Sequence, residues 1–380
     1  MFNKKGLIAL SVISGLFMAT FSACTKKVTE PETIKIGAVV FLTGPQSVLG
    51  EEVKNAFTVA LDEINQKTGI NGKKLDIIYE DSKDSPKDAI MAFNRLMLQK
   101  PPLVIVTGDV VGLSLIPLAD KNNIPLLATV AAGPEITQKS KWAFRVFVQS
   151  GRQGELMADY AYKTLKIKSV ASLYINNDFG ITTSGGFKKV FESQGGKIKG
   201  VESYELGDKD MRAQIKKLQT LKPEAIYVTG FGDGYGACIK QIREMGYKGL
   251  LLSDNSLSIP YFRQQTTPAS EGAYFTSTLY DESSEVPMTA GFIKKYQEKF
   301  NSTPSFIGAF AYDALKLASS ALEKGGESSD GIRESLLSMK MDGLVGKIAF
   351  DQKGDLDFPL VIKKIENGKI LIVSGATAAQ

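Results

Sequence analysis

Strand-like and helix-like patterns of apolar residues alternate along the chain, and one of each is clear between Ile34 and Ile64. Residues 34–42 are mostly apolar, which predicts a strand buried on both faces of a sheet. The Thr43-Gly44-Pro45 sequence predicts a turn. Apolar side chains at helical spacing follow at Val53, Ala56, Phe57, Ala60, Leu61 and Ile64. A strand, turn and helix in this order predict one edge of a ligand site, because open α/β sheets bind ligands at the carboxyl ends of their strands.

The same alternation of strand and helix patterns continues along the chain. Further strands are predicted at Leu75–Glu80, Leu103–Thr107, Ile124–Ala128, Ala143–Phe147, Ser169–Ile175, Ile198–Tyr204, Ala225–Thr229 and Gly249–Ser253. Helices are predicted at Leu113–Lys121, Gly154–Leu165, Phe187–Gln194, Met211–Leu221, Ala237–Met245, Thr289–Phe300, Phe306–Glu323 and Asp330–Met339. Ser85 and Pro86 predict the cap and first residue of another helix. Ten or so strands are too many for one domain, so the pattern predicts an α/β protein with two doubly wound parallel-sheet lobes and an antiparallel end.

Composition narrows the possible functions. The chain has 380 residues, 43% hydrophobic and 23% charged, which is typical of a soluble globular protein. Its net charge of +5 is spread along the sequence, so nucleic-acid binding has no support. The sequence contains no histidine, which excludes Ser-His-Asp and Cys-His catalysis and histidine-ligated zinc. Two cysteines, Cys24 and Cys238, provide neither a disulfide framework nor a cysteine-rich metal site, and we expect no metal or cofactor.

The N-terminus is typical of an export signal. Lys4 and Lys5 precede an apolar run, Leu7–Phe21, that is too short to span a membrane stably. The run ends Phe21-Ser22-Ala23-Cys24, which resembles a bacterial lipoprotein signal. That resemblance implies a signal peptide over residues 1–23, lipidation of Cys24 and a tether over 24–33. The alternative is an ordinary secretory signal followed by an incidental cysteine.

Three short motifs resemble parts of enzyme signatures, but none belongs to a complete signature. The glycines of residues 230–236 recur at every second position and do not form the G-x-G-x-x-G of dinucleotide-binding proteins. Ser253-Asp254-Asn255 and Lys67-Thr68-Gly69 match two β-lactamase motifs, but in reversed order and without a Ser-x-x-Lys nucleophile. A phosphate-binding G-x-x-x-x-G-K-[ST] loop is absent as well. We therefore expect a protein that is not an enzyme, and an envelope hydrolase is the weakest alternative.

Several short motifs together resemble the type I periplasmic binding proteins, in their leucine/isoleucine/valine-binding family. They are Ile34-Lys35-Ile36-Gly37, Leu42-Thr43-Gly44-Pro45, Asp62-Glu63-Ile64-Asn65, Gly69-Ile70-Asn71-Gly72, Tyr79-Glu80-Asp81, Ile124-Pro125, Pro134-Glu135-Ile136-Thr137, Phe144-Arg145 and residues 350–355 (FDQKGD). The resemblance covers residues 34 to about 374. It implies a Venus-flytrap fold with three interlobe crossings, one lobe at 34–148 plus 279–345 and the other at 149–278 plus 346–375.

The resemblance also implies where a ligand would bind. Family members that bind amino acids hold the α-carboxylate with a Ser and a Thr hydroxyl. The matching positions here are Asp109 and Ala132, although Thr107 or a backbone N–H near Val110 could serve if the loop is shifted. The acidic residue that takes the ammonium corresponds to Asn255. The candidate cleft residues are Leu49, Asp109, Thr129, Ala131, Ala132, Phe179, Phe231, Asp254 and Asn255, and each could instead be a rim or core position.

These substitutions predict a cleft that is less ionic and more apolar than that of a branched-chain amino-acid receptor. The expected function is an extracytoplasmic receptor of an ABC importer that binds a small amino-acid-like, amide or aromatic solute. Its partners would be the permease and, through it, the ATPase subunits. We expect a periplasm-facing or extracytoplasmic monomer that contacts the membrane only through its lipid anchor. A ligand-sensing subunit of a signalling system is the alternative.

Overall fold

The structure, a computed structural model, describes residues 32–377, with side chains up to residue 374. The predicted signal segment, Cys24 and almost all of the predicted tether lie outside these residues. Within the described part of the chain, no helix is both long and apolar enough to cross a membrane.

The first stretch of the chain builds a parallel five-stranded sheet in the order β2-β1-β3-β4-β5. Its strands are β1 (Thr33–Val40), β2 (Lys74–Asp81), β3 (Val104–Thr107), β4 (Leu126–Thr129) and β5 (Ala143–Val146). Between them lie α1 (Ser47–Lys67), α2 (Pro86–Met97), α3 (Asp109–Asn122) and α4 (Glu135–Gln138). Every residue of β3, β4 and β5 is buried, as their continuous apolar sequences predict.

The second stretch crosses to a separate sheet. It forms α5 (Ser150–Lys163), β6 (Ser169–Ile175), α6 (Asp178–Ser193), β7 (Lys197–Tyr204), α7 (Arg212–Thr220), β8 (Ala225–Thr229), α8 (Gly232–Glu244), β9 (Leu250–Ser253), α9 (Pro260–Thr266) and β10 (Tyr274–Thr278). The five strands are parallel. The strand at Ala143 pairs with β4 and closes the first sheet.

The third stretch returns to the first sheet, and the last returns to the second. Helices α10 (Pro287–Phe300), α11 (Phe306–Gly325) and α12 (Ser329–Ser338) follow β10, and α11 packs on α1, β4 and β5. A short hairpin of β11 (Met341–Gly343) and β12 (Gly346–Ile348) precedes β13 (Leu360–Glu366) and β14 (Lys369–Thr377). The second sheet thus has the order β14-β13-β10-β9-β8-β6-β7, with its last two strands antiparallel. The predicted fold class, with two doubly wound sheets and three crossings, is confirmed.

Several helices begin earlier than their apolar patterns predict. Helix α6 starts at Asp178 rather than Phe187, and α8 starts at Gly232 rather than Ala237. A first turn contributes few apolar residues to the core, so hydrophobic spacing does not mark it. The Asn177 side chain instead begins α6 by accepting a hydrogen bond from the Gly180 N–H at 3.0 Å. The predicted cap of α2 is confirmed, because the Ser85 side chain accepts from the Asp88 N–H.

Candidate functional site

A cleft lies between the carboxyl ends of the parallel strands of the two sheets. It encloses about 660 Å³ of space free of protein atoms, including its mouth to solvent. The first wall, from the first sheet and α11, consists of Gln46, Leu49, Asp84, Gly108, Asp109, Val110, Val130, Ala132, Phe147, Phe306 and Ile307. The second wall, from the second sheet, consists of Asn177, Asp178, Phe179, Phe231, Asn255, Ser256 and Ile259. A lining that is mostly apolar with a few polar groups is typical of a small-molecule site.

The structure brings together six of the nine sequence-predicted cleft residues: Leu49, Asp109, Ala132, Phe179, Phe231 and Asn255. Thr129, Ala131 and Asp254 are fully buried and are not among the residues that line the cleft. Thr129 is the last residue of β4, where both faces of the sheet are covered. Proximity in sequence placed these three residues at the correct sheet edge but could not show which way they face.

Asp109 is the main charged residue of the first wall. It is the first residue of α3, half-buried, and one carboxylate oxygen accepts a hydrogen bond from the Gly133 N–H at 2.7 Å. Burial raises the pKa of Asp109 to about 6, against the opposing effects of the backbone N–H groups of Gly133 and Ala132 and the charge of Arg145. At neutral pH the first wall therefore carries a partly desolvated carboxylate.

Arg145 supports the first wall from behind. Its side chain is fully buried in β5, where one guanidinium nitrogen donates to the Ala132 carbonyl at 3.0 Å. The remaining nitrogens pair with both carboxylate oxygens of Asp355, on the turn that leads into β13. The Arg145 backbone N–H also donates to the Gly354 carbonyl at 2.9 Å. The wall that carries Asp109 is thus tied to one of the crossings between the sheets.

The turn after β1 is organised by two carboxylates. Asp81 accepts hydrogen bonds from the backbone of Leu42 at 3.0 Å and from the Thr43 hydroxyl at 2.5 Å. Burial acts to raise the pKa of Asp81, but these hydrogen bonds outweigh burial and lower it. Asp84, which lines the cleft, accepts from the Gln46 side-chain amide, and burial raises its pKa. The Thr43-Gly44-Pro45 turn is therefore held by carboxylates at the end of β2 and just after it.

Val130 has an unusual backbone at the cleft. Its φ of 53° lies in the left-handed region, which a β-branched residue adopts rarely. The residue directly follows β4 and lines the first wall. Strained backbone of this kind is found preferentially at functional sites, since surrounding structure must hold it in place.

Two phenylalanines form the aromatic part of the second wall. Phe179 lies in the first turn of α6 and Phe231 directly precedes α8. Their ring centroids are 5.7 Å apart at an interplanar angle of 49°, within the range of favourable aromatic pairs. Gly230, with φ of 148°, lets the chain pass the Tyr204 hydroxyl, where a Cβ atom would come within 2.0 Å. That close approach explains why the sequence has glycine before Phe231.

Asp254 and Asn255 are adjacent in sequence but lie in different surroundings. The fully buried Asp254 carboxylate accepts from the backbone N–H groups of Gly230 at 2.7 Å and Ser256 at 2.8 Å. Burial raises the pKa of Asp254 to about 7, although both hydrogen bonds oppose the shift. Asn255 lines the cleft, is 3% exposed, and its side-chain nitrogen has no hydrogen-bond partner among the described residues. Asp254 thus holds the loop, while Asn255 lines the cleft and has a side-chain nitrogen that is unpaired among the described residues.

Sequence reasoning missed the part of the first wall that comes from distant segments. Phe147 follows β5, and Phe306 and Ile307 begin α11. The rings of Phe147 and Phe306 stack at 6.0 Å, joining residues 159 positions apart in sequence. The predicted start of the helix at Phe306 was the available signal, since helix N-termini gather at this sheet edge. Within residues 32–377, no group of three or more His, Cys, Asp or Glu side chains could hold a metal ion.

Comparison with known proteins gives a consistent result. A family model described as "Periplasmic binding protein" matches residues 33–369. The chain is 27% identical over 361 residues to the leucine-, isoleucine-, valine-, threonine-, and alanine-binding protein of Pseudomonas aeruginosa, covering 93% of this chain and 94% of the relative. It is similar to a leucine-binding protein structure from Thermotoga maritima, with TM-score 0.83, 26% identity and coverage of 90% and 99%. A branched-chain amino acid transporter substrate-binding protein from Streptococcus pneumoniae, in complex with isoleucine, matches with TM-score 0.82, 25% identity and coverage of 91% and 100%.

Proposed function

Because the chain belongs to the type I periplasmic binding protein family, in its leucine/isoleucine/valine-binding branch, we propose that it is the solute receptor of an ABC importer. The family consists of solute-binding proteins, so the expectation of a protein that is not an enzyme is confirmed. Membership also implies an extracytoplasmic location. The proposed solute is small and amino-acid-like, or an amide or aromatic compound.

The cleft between the two sheets is the observation that carries this proposal. Both walls contribute side chains to one space of about 660 Å³, and most of those side chains are apolar. The lobes would be residues 34–148 plus 279–345 and residues 149–278 plus 346–375. Sheet membership supports this division, since the chain passes between the sheets near these boundaries. A solute that binds the closed form better would shift the population toward it and present the loaded receptor to the permease.

Native mass spectrometry of the purified protein tests the binding function. We expect a bound small molecule that leaves on denaturation, and a rise in melting temperature when that molecule is added back. The proposal would fail if no small molecule co-purified and a broad panel of amino acids, amides and aromatic compounds left the melting temperature unchanged.

A sensor subunit for a signalling system is the second candidate, since the same fold and cleft would serve it. Genes for two permeases and two ATPases beside this one favour the importer, and a signalling gene favours the sensor. Uptake of the labelled solute by a deletion strain separates the two directly. Loss of uptake supports the importer, whereas normal uptake with a lost transcriptional response supports the sensor.

Anchoring through Cys24 is a separate part of the proposal. The lipoprotein-like signal supports it, and a lipidated cysteine would keep the receptor, as a monomer, beside its permease. Metabolic labelling with palmitate should mark the native protein and not a Cys24→Ala variant. If neither protein is labelled, the ordinary secretory signal is favoured.

A further inference from the structure

The charged side chains that line the cleft are all carboxylates among the residues that the structure describes. They are Asp84, Asp109 and Asp178, of which the first two are half-buried and the third is exposed. Arg145 is close enough to lower the pKa of Asp109, but its guanidinium is buried behind the wall and paired with Asp355. A solute carboxylate placed against the first wall would therefore meet like charge.

Asp109 has hydrogen-bonding capacity left for a ligand. A carboxylate accepts about four hydrogen bonds. The backbone N–H of Gly133 donates one of these, at 2.7 Å. The side chain is half-buried at the cleft surface, so the remaining capacity faces the space between the walls. The group that fits there is an N–H donor.

Asn255 on the second wall needs a hydrogen-bond acceptor rather than a donor. Its side chain is 3% exposed, and the Nδ2 donor has no acceptor within residues 32–377. Its backbone N–H already donates to Gln153 Oε1 at 3.1 Å, so the residue is fixed in place. A buried donor without a partner is unfavourable, and an oxygen acceptor on a solute would satisfy it. This observation is independent of the carboxylates on the first wall.

The space near these polar groups is apolar and suits a flat or hydrocarbon body. Phe179 and Phe231 form a tilted pair on the second wall, and Leu49 and Phe147 line the first. A ligand that matches all of these features has an N–H donor, a carbonyl acceptor and an apolar or aromatic body. A small carboxamide has all three.

On the basis of the function proposed above, we propose that this cleft binds a carboxamide, with the ligand N–H at Asp109 and the ligand carbonyl at Asn255. The polarity is the reverse of the one that the family resemblance implied, in which the first wall holds a carboxylate and the second wall an ammonium. The cleft consequently selects an amide over the carboxylate of the same shape. Asp109 is then the residue that determines this specificity.

Matched pairs of ligands test the proposal on the wild-type protein. We would measure thermal shift and calorimetric affinity at pH 7.5 for benzamide against benzoate and for leucinamide against leucine. The amide of at least one pair should bind at least 10-fold more tightly than its carboxylate. Tighter binding of the carboxylate in both pairs, or of a solute without an amide, would overturn the inference and leave the receptor function intact. Failure of every compound to bind, with nothing co-purifying, would instead contradict the receptor function.

Two variants assign the roles of the residues. Asp109→Ser should weaken amide binding at least 10-fold and strengthen carboxylate binding, because it replaces a negative charge with a hydroxyl. Asn255→Asp should also weaken amide binding, because an acceptor then faces the ligand carbonyl. Asp330→Ser removes an exposed carboxylate from the first turn of α12 and serves as the matched charge control, with affinities unchanged. An unchanged amide preference in a folded Asp109→Ser protein would overturn the assignment, and the wild-type comparison remains decisive if this variant does not fold.

Discussion

The two walls of the cleft each have an aspartate just after a parallel strand, Asp109 after β3 and Asp254 after β9. Both carboxylates accept backbone hydrogen bonds, and burial raises the pKa of both. Asp109 nevertheless lines the cleft beside the buried Arg145, whereas Asp254 lies behind Asn255 among Tyr204, Tyr227 and Tyr235. The same residue type at the same sheet edge can therefore face a ligand or support a loop, depending on the packing around it.

The difference extends to how each wall is supported. The first wall depends on a buried ion pair between Arg145 and Asp355, which joins β5 to the segment entering β13. The second wall depends on a buried carboxylate that holds the Gly230 and Ser256 backbone. A buried ion pair that loses one partner costs more than a surface pair, since the other charge is left desolvated. These differences give the predictions below, in order of decreasing effect.

Arg145→Met should have the largest effect on stability. It leaves the Asp355 carboxylate and the Ala132 carbonyl without their partner, so the free energy of unfolding should fall by about 3–5 kcal/mol. Urea denaturation measures the change. Arg152→Met is the matched control, because the Arg152–Asp357 pair is more exposed, and it should cost less than about 1 kcal/mol. Equal losses in the two variants would show that the first wall does not depend on its buried pair.

Asp254→Ala should destabilise the protein more than Asp109→Ala. It leaves the N–H groups of Gly230 and Ser256 buried without an acceptor, at a cost of about 2–4 kcal/mol in the free energy of unfolding. Asp109→Ala acts at a half-buried position and should cost about 1 kcal/mol or less. Urea denaturation of both variants checks the order. A larger loss for Asp109→Ala would mean that Asp109, and not Asp254, is the aspartate that supports its wall.

The stabilising effect of Asp254 should depend on pH. Its pKa is about 7 in the folded protein and about 4 in an unfolded chain, so the folded state binds more protons between these values. The stability contributed by this group therefore falls as pH rises from 4 to 7. Tyr204, Tyr227 and Tyr235 face Asp254 and stay neutral, because burial raises their pKa values further.

Unfolding of the wild type and of Asp254→Asn at pH 5 and pH 8 tests this dependence. The free energy of unfolding of the wild type minus that of Asp254→Asn should be larger at pH 5 than at pH 8, by more than about 1 kcal/mol. Other buried acids, such as Asp313, are present in both proteins and cancel in the comparison. A difference independent of pH would mean that Asp254 is ionised throughout.

Phe231→Leu should have the smallest effect. It removes the ring pair with Phe179 but keeps an apolar side chain at a half-buried position. Loss of an aromatic pair costs about 0.5–1.5 kcal/mol in the free energy of unfolding. Urea denaturation measures the change. Val110→Leu on the opposite wall is the control for an altered side-chain volume.

Much of the fold could be predicted from the sequence, because strands and helices have different periods. The apolar runs of β3 and β4 and the helical spacing of α1 were recognisable for this reason. The starts of α6 and α8 were not, since their first turns are capped by polar groups or contain glycine. The cleft residues were predicted from the family resemblance, which assigned short motifs to positions on the cleft.

The sequence by itself determined the alternation of elements, the two sheets and the edge at which a ligand would bind. Only the tertiary structure decided which residues at that edge face the cleft. Asp254 and Asn255 are adjacent in the chain, yet one is buried behind the wall and the other lines it. Phe147 and Phe306 meet only because α11 returns to the first sheet. Local periodicity specifies elements, whereas the direction of a loop side chain depends on packing between segments that are distant in sequence.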